Sequence, residues 1–346
     1  MAQILNDLYR AKKIVSKYKI GVLGCGAWGT TIAKMCAENG HDVTVWTHTP
    51  EIAEEINSIH ENTALLKGIQ LPESLKASPN LSDVCNNSDA FIFAIASPYL
   101  DAVKDFNQPA LKEKPMLSVT KAFLSEEKGY FVTKFLEKHL GVQKLAIMSG
   151  PNLASEIAMK KPAASVIASE DDSIASMFQD ILSNDYFRIY RSNDVTGVEC
   201  GGILKNIIAI ASGCIDGLGF GENTKAALVT RGIQEMIRFG MAFGASEKTF
   251  YGLSGFGDLL ATCNSDKSRN WRVGYQFSQG KSLEYILTSL GAVAEGVYTT
   301  KVAYPISKSM SLELPITSEV YKVLFEGKDP KKSIKDLMNR DLKPEQ

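Results

Sequence analysis

The sequence predicts an α/β domain built on a doubly wound parallel sheet, followed by an all-α carboxyl-terminal domain. Three observations carry this prediction. Short, nearly all-apolar runs such as Ala90 to Ala96 alternate with helical stretches through the first half of the chain, and strands buried on both faces are the mark of a parallel sheet. Beyond about Asn193 the strand pattern stops, and apolar residues recur at helical spacing, as in Ile203, Leu204, Ile207, Ile208 and Ala211. The chain has 346 residues, more than one compact core usually holds. The expected division is an extension over residues 1–18, an α/β domain over 19–193 and a helical domain over 194–346.

In chain order, residues 1–18 read as an added helix with Leu5, Leu8 and Ile14 on an apolar side. The next segment is Lys19-Ile20-Gly21-Val22-Leu23-Gly24-Cys25-Gly26-Ala27-Trp28-Gly29, an apolar strand that breaks into glycines before the helical Thr31 to Gly40. Each glycine has its own task. Gly24 permits the tight turn out of the strand, Gly26 lets a pyrophosphate approach the backbone, and Gly29 lets the helix pack close to the strand. The helix amino terminus then offers unpaired N–H groups and a partial positive charge to the phosphates. In this context the spacing predicts a Rossmann-type dinucleotide site. Val43 to Trp46, Ala90 to Ala96, Met116 to Thr120, Leu145 to Met148 and Ser165 to Ala168 read as further strands. The glycine-dense stretch Gly213 to Gly221 reads as a loop between two helices of the second domain.

Composition narrows the functions. Hydrophobic residues make up 45% and the net charge is −1, which gives no general reason to expect nucleic acid or an anionic membrane as partner. Apolar runs such as Ala90 to Ala96 are too short to span a bilayer, so stable membrane insertion is not expected. Residues 1–19 lack the apolar core of a signal peptide. The six cysteines form no C-x-x-C pair, which suits a reducing cytoplasm. The four histidines lie at no metal-ligand spacing with a cysteine or another histidine, so no metal is expected. No G-x-x-x-x-G-K-[ST] occurs, which removes a kinase-type phosphate loop.

Ligands of such sheets bind at the carboxyl ends of strands. After the second strand the chain reads Thr47-His48-Thr49-Pro50, without the acid that a strict NAD fingerprint places near this point. A 2′-phosphate is therefore tolerable and His48 can sit beside the adenosine, or His48 is a surface turn residue. Lys121 follows Met116 to Thr120 at the same edge, where it is either a solvated loop charge or a group beside the reacting atoms. Lys205 lies in a helix that is apolar nearly all round, so it should be buried. A buried lysine needs a partner or loses its proton, and both outcomes suit a general acid or base. Gly201 and Gly202 beside it would let a ligand approach the backbone. Asp258, the only acid in the apolar segment Gly255 to Thr262, is a candidate partner or a helix cap. Ser268-Arg269-Asn270 suits a phosphate, which arginine binds in bidentate fashion, although a solvated loop has the same composition.

Six motifs together resemble the NAD(P)-dependent glycerol-3-phosphate dehydrogenases of the bacterial type. They are Gly24 to Thr30, Ser149-Gly150-Pro151, Gly201-Gly202-x-x-Lys205-Asn206-x-x-Ala209, Gly257-Asp258-Leu259, Ser268-Arg269-Asn270 and Glu295-Gly296. The match runs from about Tyr18 to Arg340. The resemblance implies NAD(P)H as cofactor and reversible conversion of dihydroxyacetone phosphate to sn-glycerol 3-phosphate, the backbone of phospholipids. It also implies a homodimer. Lys205 matches the family's proton acceptor and Lys121 its lysine at the cofactor–substrate junction. Gly150, Asn152, Asn206, Asp258, Ser268, Arg269 and Asn270 are implied substrate contacts. Ala27, Trp28, His48, Lys121, Ala154, Arg269, Val293 and Glu295 are implied dinucleotide contacts. The chain departs from the pattern at Ala122, where glycine is common, and at Asn152, where threonine or serine is frequent. Two alternatives stay open: a two-domain dehydrogenase of a 3-hydroxy or branched 2-keto acid, and an NAD(P)-binding redox sensor.

Overall fold

The computed structural model describes residues 16–291, 293–342 and 344–345. The helix expected over residues 1–18 lies almost wholly outside the described residues, and Ser16, Lys17 and Tyr18 are not helical.

The first half is one eight-stranded sheet, β1 (Lys19–Leu23), β2 (Asp42–Trp46), β3 (Lys76–Ser78), β4 (Ala90–Phe93), β5 (Met116–Ser118), β6 (Leu145–Ser149), β7 (Ala163–Ala168) and β8 (Phe187–Ser192), in the order β3-β2-β1-β4-β5-β6-β7-β8. Helices cover both faces, among them α1 (Ala27–Glu38), α2 (Pro50–Ile59), α3 (Leu81–Asn87), α4 (Val132–Leu140), α5 (Ala154–Ala158) and α6 (Asp172–Leu182). One apolar cluster is centred on Val22, Ile32, Val45, Ile92 and Phe178, and another on Leu23, Phe91, Phe93, Phe135 and Leu136. β1 and β4 bury nearly every side chain, as the apolar runs require.

Register decides where the chemistry falls. Leu23 pairs with both Trp46 and Phe93, Phe93 with Ser118, and Ser118 with Ile147. The loops that start at Gly24, Thr47, Ala94, Val119 and Gly150 therefore emerge along one edge.

The sheet departs from the expected pattern in three places. β3 is only three residues long with Ala77 alone buried, too short for any periodicity to register. β8 buries Phe187 and Ile189 and exposes Arg188, Tyr190 and Arg191, the alternation of an edge strand rather than a continuous apolar run. β7 runs antiparallel to β6. The link between them contains only the five-residue α5, and the chain turns back against the strand it has just left. That reversal sets Ser165 beside Ser149 and Asn152, with the Ser165 hydroxyl donating to the Ser149 carbonyl at 3.0 Å.

The second half is helical: α7 (Val195–Leu218), α8 (Glu222–Ala242), α9 (Asp258–Cys263), α10 (Arg269–Ser278), α11 (Leu283–Leu290), α12 (Glu295–Ser309), α13 (Pro315–Phe325) and α14 (Pro330–Met338). Asp194 starts α7 by accepting from the Gly197 N–H at 2.8 Å. By length and composition this 24-residue helix is apolar enough to cross a membrane, but 94% of its most apolar window is buried within the protein. Gly213 and Gly217, expected in a loop, belong to α7, which ends at Leu218. A Cβ on Gly213 would run into the Trp271 carbonyl, and one on Gly274 into the Ile210 carbonyl. These glycines let α7 and α10 cross at close range, and only Gly219-Phe220-Gly221 forms the connection to α8.

Candidate active site

In the glycine turn after β1, Gly24 and Gly29 are close-packed as expected and Gly26 faces open space. Gly24 has φ +112°, and a Cβ there would lie 2.9 Å from the Ala94 carbonyl oxygen. A Cβ on Gly29 would strike the Gly24 carbonyl, whereas at Gly26 it would meet no heavy atom within 4 Å. No side chain caps α1 and no acid lies in its first turn. The partial positive charge at that end is thus left for an anion, and the open face at Gly26 fits a pyrophosphate. Asn62, which sequence reasoning missed, fastens the turn from below. It is fully buried and donates to the Cys25 carbonyl and the Thr30 hydroxyl, both at 2.9 Å. An isolated asparagine in a loop offers no local signal for this. Trp28 packs on the core beneath, and Ala154 at the start of α5 accepts from the Thr31 hydroxyl at 3.3 Å. His48 is exposed after β2, and the next acid is Glu51, exposed in the first turn of α2.

Lys121, Lys205 and Asp258 converge. Asp258 is buried, accepting from Lys205 on one carboxylate oxygen and from Lys121 on the other, the latter at 2.6 Å. Lys205 also donates to the Thr262 hydroxyl at 2.8 Å, and Lys121 to the Gly150 carbonyl at 3.2 Å. An ammonium has three N–H donors. Each lysine therefore keeps one uncommitted N–H among the described residues. Desolvation draws the Lys205 pKa down to about 8, with Asp258 opposing and Lys121 adding to the fall.

Local sequence explains how these groups meet. A wide π-helical turn, Leu253–Gly257, precedes Asp258. A Cβ on Gly201 would collide with the Ser254 carbonyl, and one on Gly202 would strike the Ser149 hydroxyl and lie 3.2 Å from the Lys121 stem. These two glycines, expected to admit a ligand, instead admit the π turn, Ser149 and Lys121, because both positions pack against protein. Lys121 is held from behind as well. Phe123 stacks with Tyr130 and meets Phe131, Phe239 and Phe243 at ring separations of 5.0–5.8 Å, which fastens the loop after β5 to α8. Buried Glu199 on α7 accepts from the Thr133 hydroxyl at 2.6 Å and its N–H at 3.2 Å, and burial raises its carboxyl pKa to about 7.

Ser268-Arg269-Asn270 is a helix start rather than a solvated loop. Ser268 caps α10 by accepting from the Trp271 N–H at 3.2 Å, which leaves its own hydroxyl proton to donate. Arg269 is exposed, yet crowded enough that desolvation lowers its guanidinium pKa against the pull of Glu295. Asn270 accepts from the Gly296 N–H at 2.9 Å and donates to Asn206 at 2.8 Å, tying α7, α10 and α12 together. Both amides thus spend part of their capacity on protein. Asn152 donates to Ser165 at 2.8 Å. Glu295 and Val293 are both half-buried. Burial pushes the Glu295 carboxyl pKa up, opposed by hydrogen bonds from Ser97 and by Arg269. Among the described residues, no group of three or more His, Cys, Asp or Glu is placed to hold a metal ion.

The arrangement offers an anion site at α1, two ammonium groups sharing one carboxylate, and an arginine at a second helix amino terminus. Comparisons with known proteins show the family to which such a site belongs. Models of the NAD-dependent glycerol-3-phosphate dehydrogenase amino-terminal and carboxyl-terminal regions match residues 19–175 and 194–335. A glycerol-3-phosphate dehydrogenase [NAD(P)+] of Syntrophotalea carbinolica is 43% identical over 329 residues, covering 94% of this chain and 99% of its own. The crystal structure of glycerol-3-phosphate dehydrogenase from Coxiella burnetii superposes with a TM-score of 0.89 at 32% identity, covering 94% of this chain and 99% of that one. A ketopantoate reductase from Ralstonia eutropha shares the fold alone, with a TM-score of 0.54 at 16% identity over 91% of this chain and 99% of that one. The chain belongs to the NAD-dependent glycerol-3-phosphate dehydrogenase family.

Proposed function

We infer that this chain interconverts dihydroxyacetone phosphate and sn-glycerol 3-phosphate with NAD(P)H. The carrying observation is Asp258 shared by Lys121 and Lys205, with Arg269 at the nearby start of α10. The division into residues 19–193 for the dinucleotide and 194–346 for the substrate is part of this reading.

When bound at the Gly24–Gly29 turn, the dinucleotide supplies the hydride. Lys205 donates its free N–H proton to the oxyanion that develops at C2. Lys121 lays positive charge beside the same oxygen, where a water-poor site makes it count most. Asp258 holds both ammonium groups in place. Arg269, the Ser268 hydroxyl and the α10 amino terminus bind the substrate phosphate, and that remote binding energy orients the carbonyl. Gly150, Asn152, Asn206 and Asn270 shape the pocket around the three-carbon chain. His48, Ala154, Val293 and Glu295 flank the dinucleotide. The absence of an acid between Trp46 and Pro50 supports use of NADPH as well as NADH. Following NADPH and NADH absorbance in parallel after addition of dihydroxyacetone phosphate tests the reading. No loss with either would reject it, and activity with NADH alone would remove NADPH from it.

Arg269→Ala should raise KM for dihydroxyacetone phosphate by roughly 10- to 100-fold, as loss of a charge-assisted hydrogen bond does, with a smaller change in kcat. An unchanged KM would take Arg269 out of the phosphate clamp. It would also favour a non-phosphorylated 3-hydroxy or 2-keto acid as substrate. A redox sensor needs no turnover at all and is separated by the same assay.

The two directions should respond oppositely to pH. Reduction needs protonated Lys205, so its rate falls as pH rises through about 8. Oxidation needs the neutral amine, so its rate rises over the same range. Profiles of kcat/KM moving in the same direction would contradict a single lysine in both roles.

Supply of glycerol 3-phosphate to phospholipid synthesis in the cytoplasm, without membrane insertion, completes the reading. The burial of α7 inside the protein supports the absence of insertion. A homodimer is supported by a groove of about 720 Å³ on the helical domain, lined in part by Leu228, Ile316, Val323 and Leu337, which leaves apolar surface for a second copy to cover.

A further inference from the structure

Ser97 belongs to none of the six family motifs and lies at the end of the loop that follows β4. That loop is anchored twice before it reaches Ser97. The Ala94 carbonyl abuts the glycine turn at Gly24, and the Ile95 carbonyl accepts from the Thr120 hydroxyl at 2.8 Å. Ser97 then opens one turn of 3-10 helix, Ser97–Tyr99. Its backbone N–H donates to Glu295 Oε1 at 3.1 Å and its hydroxyl donates to Glu295 Oε2. One residue of the sheet domain thus occupies both oxygens of a carboxylate that starts α12 in the helical domain, 198 residues away in sequence.

The far side of this contact is rigid too. Gly296, next to Glu295, is bonded to Asn270, the neighbour of Arg269. Glu295 and Arg269 therefore belong to the linked starts of α12 and α10 in the helical domain, while Ser97 and the Gly24 turn belong to the sheet domain.

The geometry points to Ser97 as a positioning residue that clasps the sheet domain to the helical domain beside the proposed dinucleotide site and fixes the Glu295 carboxylate there. This rests on the proposed dinucleotide site and adds a residue to it. The Lys267–Glu156 ion pair at 2.6 Å also crosses between the halves, but both partners are substantially exposed, so salt and water screen it. Ser97 bonds a half-buried carboxylate through two donors.

The test is a fluorescence titration of the full chain with NADPH and, in parallel, with NADH, combined with steady-state kinetics, and each effect is read with whichever the unsubstituted protein binds. Ser97→Ala should weaken dinucleotide binding roughly tenfold, the size expected for one hydrogen bond to a charged group. Its kcat at saturating cofactor should change by less than about threefold, because no reacting group is touched. Ser97→Thr, which keeps the hydroxyl, should restore the affinity. In a Glu295→Ala background, Ser97→Ala should add no further loss, since the partner is already gone. Unchanged affinity in Ser97→Ala would overturn the clasp while leaving the enzyme reading intact. Persistence of the full loss in the Glu295→Ala background would overturn it equally. If the unsubstituted protein binds neither dinucleotide, the enzyme reading falls and the clasp falls with it.

Discussion

Replacing Lys205 with methionine is expected to lower kcat for dihydroxyacetone phosphate reduction by about 10²–10⁴-fold, the range for loss of a general acid. Methionine matches the unbranched stem and fills the same space in α7, so the buried packing around position 205 is kept. Asp258 is not stranded by the change, because Lys121 still holds its second oxygen at 2.6 Å. The loss should therefore appear in turnover rather than in folding. Affinity for the dinucleotide should stay within about twofold, since the partners of Lys205 are Asp258 and Thr262 rather than the glycine turn or α1. Full activity in Lys205→Met would remove this residue from the proton transfer.

Asp258→Asn should be as damaging to turnover and worse for stability. Two ammonium groups share this carboxylate, with Lys205 and Asp258 nearly inaccessible to solvent. An amide can accept from one lysine but carries no compensating charge. Breaking a buried ion pair on one side typically costs about 3–5 kcal/mol, because the remaining charge is left uncompensated. Here the remaining charges also repel each other. Lys205 already has its pKa drawn down to about 8 by desolvation and by Lys121, with Asp258 opposing. Without that opposition its pKa must fall further, and less of the amine is protonated at neutral pH. The expected result is a drop in reductive kcat of at least about 10²-fold, with the remaining activity shifted to lower pH. A pH profile identical to that of the unsubstituted protein would show that Asp258 does not tune Lys205.

Several features are legible in the sequence because they are properties of a short stretch of chain. Gly24, Gly26 and Gly29 announce a strand–turn–helix unit whose steric demands follow residue by residue. The all-round apolar character of the helix carrying Lys205 predicts its burial, and a buried amine is a chemical statement in itself. The parallel-sheet rule alone places Lys121 at the correct edge. Asp258 stands out as the one acid in an apolar segment. Other features escape for equally physical reasons. Glycine density at Gly213 to Gly221 looks the same whether it serves a turn or a close helix crossing, and only the approach of Trp271 and Ile210 separates the two. Gly201 and Gly202 offer space, but local sequence does not say whether ligand or protein fills it. β3 is too short, and β8 too exposed, to carry the continuous apolar run of a central strand.

Sequence by itself determined the α/β-then-helical order, the phosphate-ready turn and the burial of Lys205, since each follows from spacing within about one element and from the cost of hiding polar groups. Only the tertiary structure decided that Lys121 and Lys205 share a single carboxylate, that β7 reverses against β6, and that Ser97 reaches Glu295. Those contacts join residues from 16 to 198 positions apart. Their geometry is set by strand register and helix crossing, which no local pattern of side chains encodes.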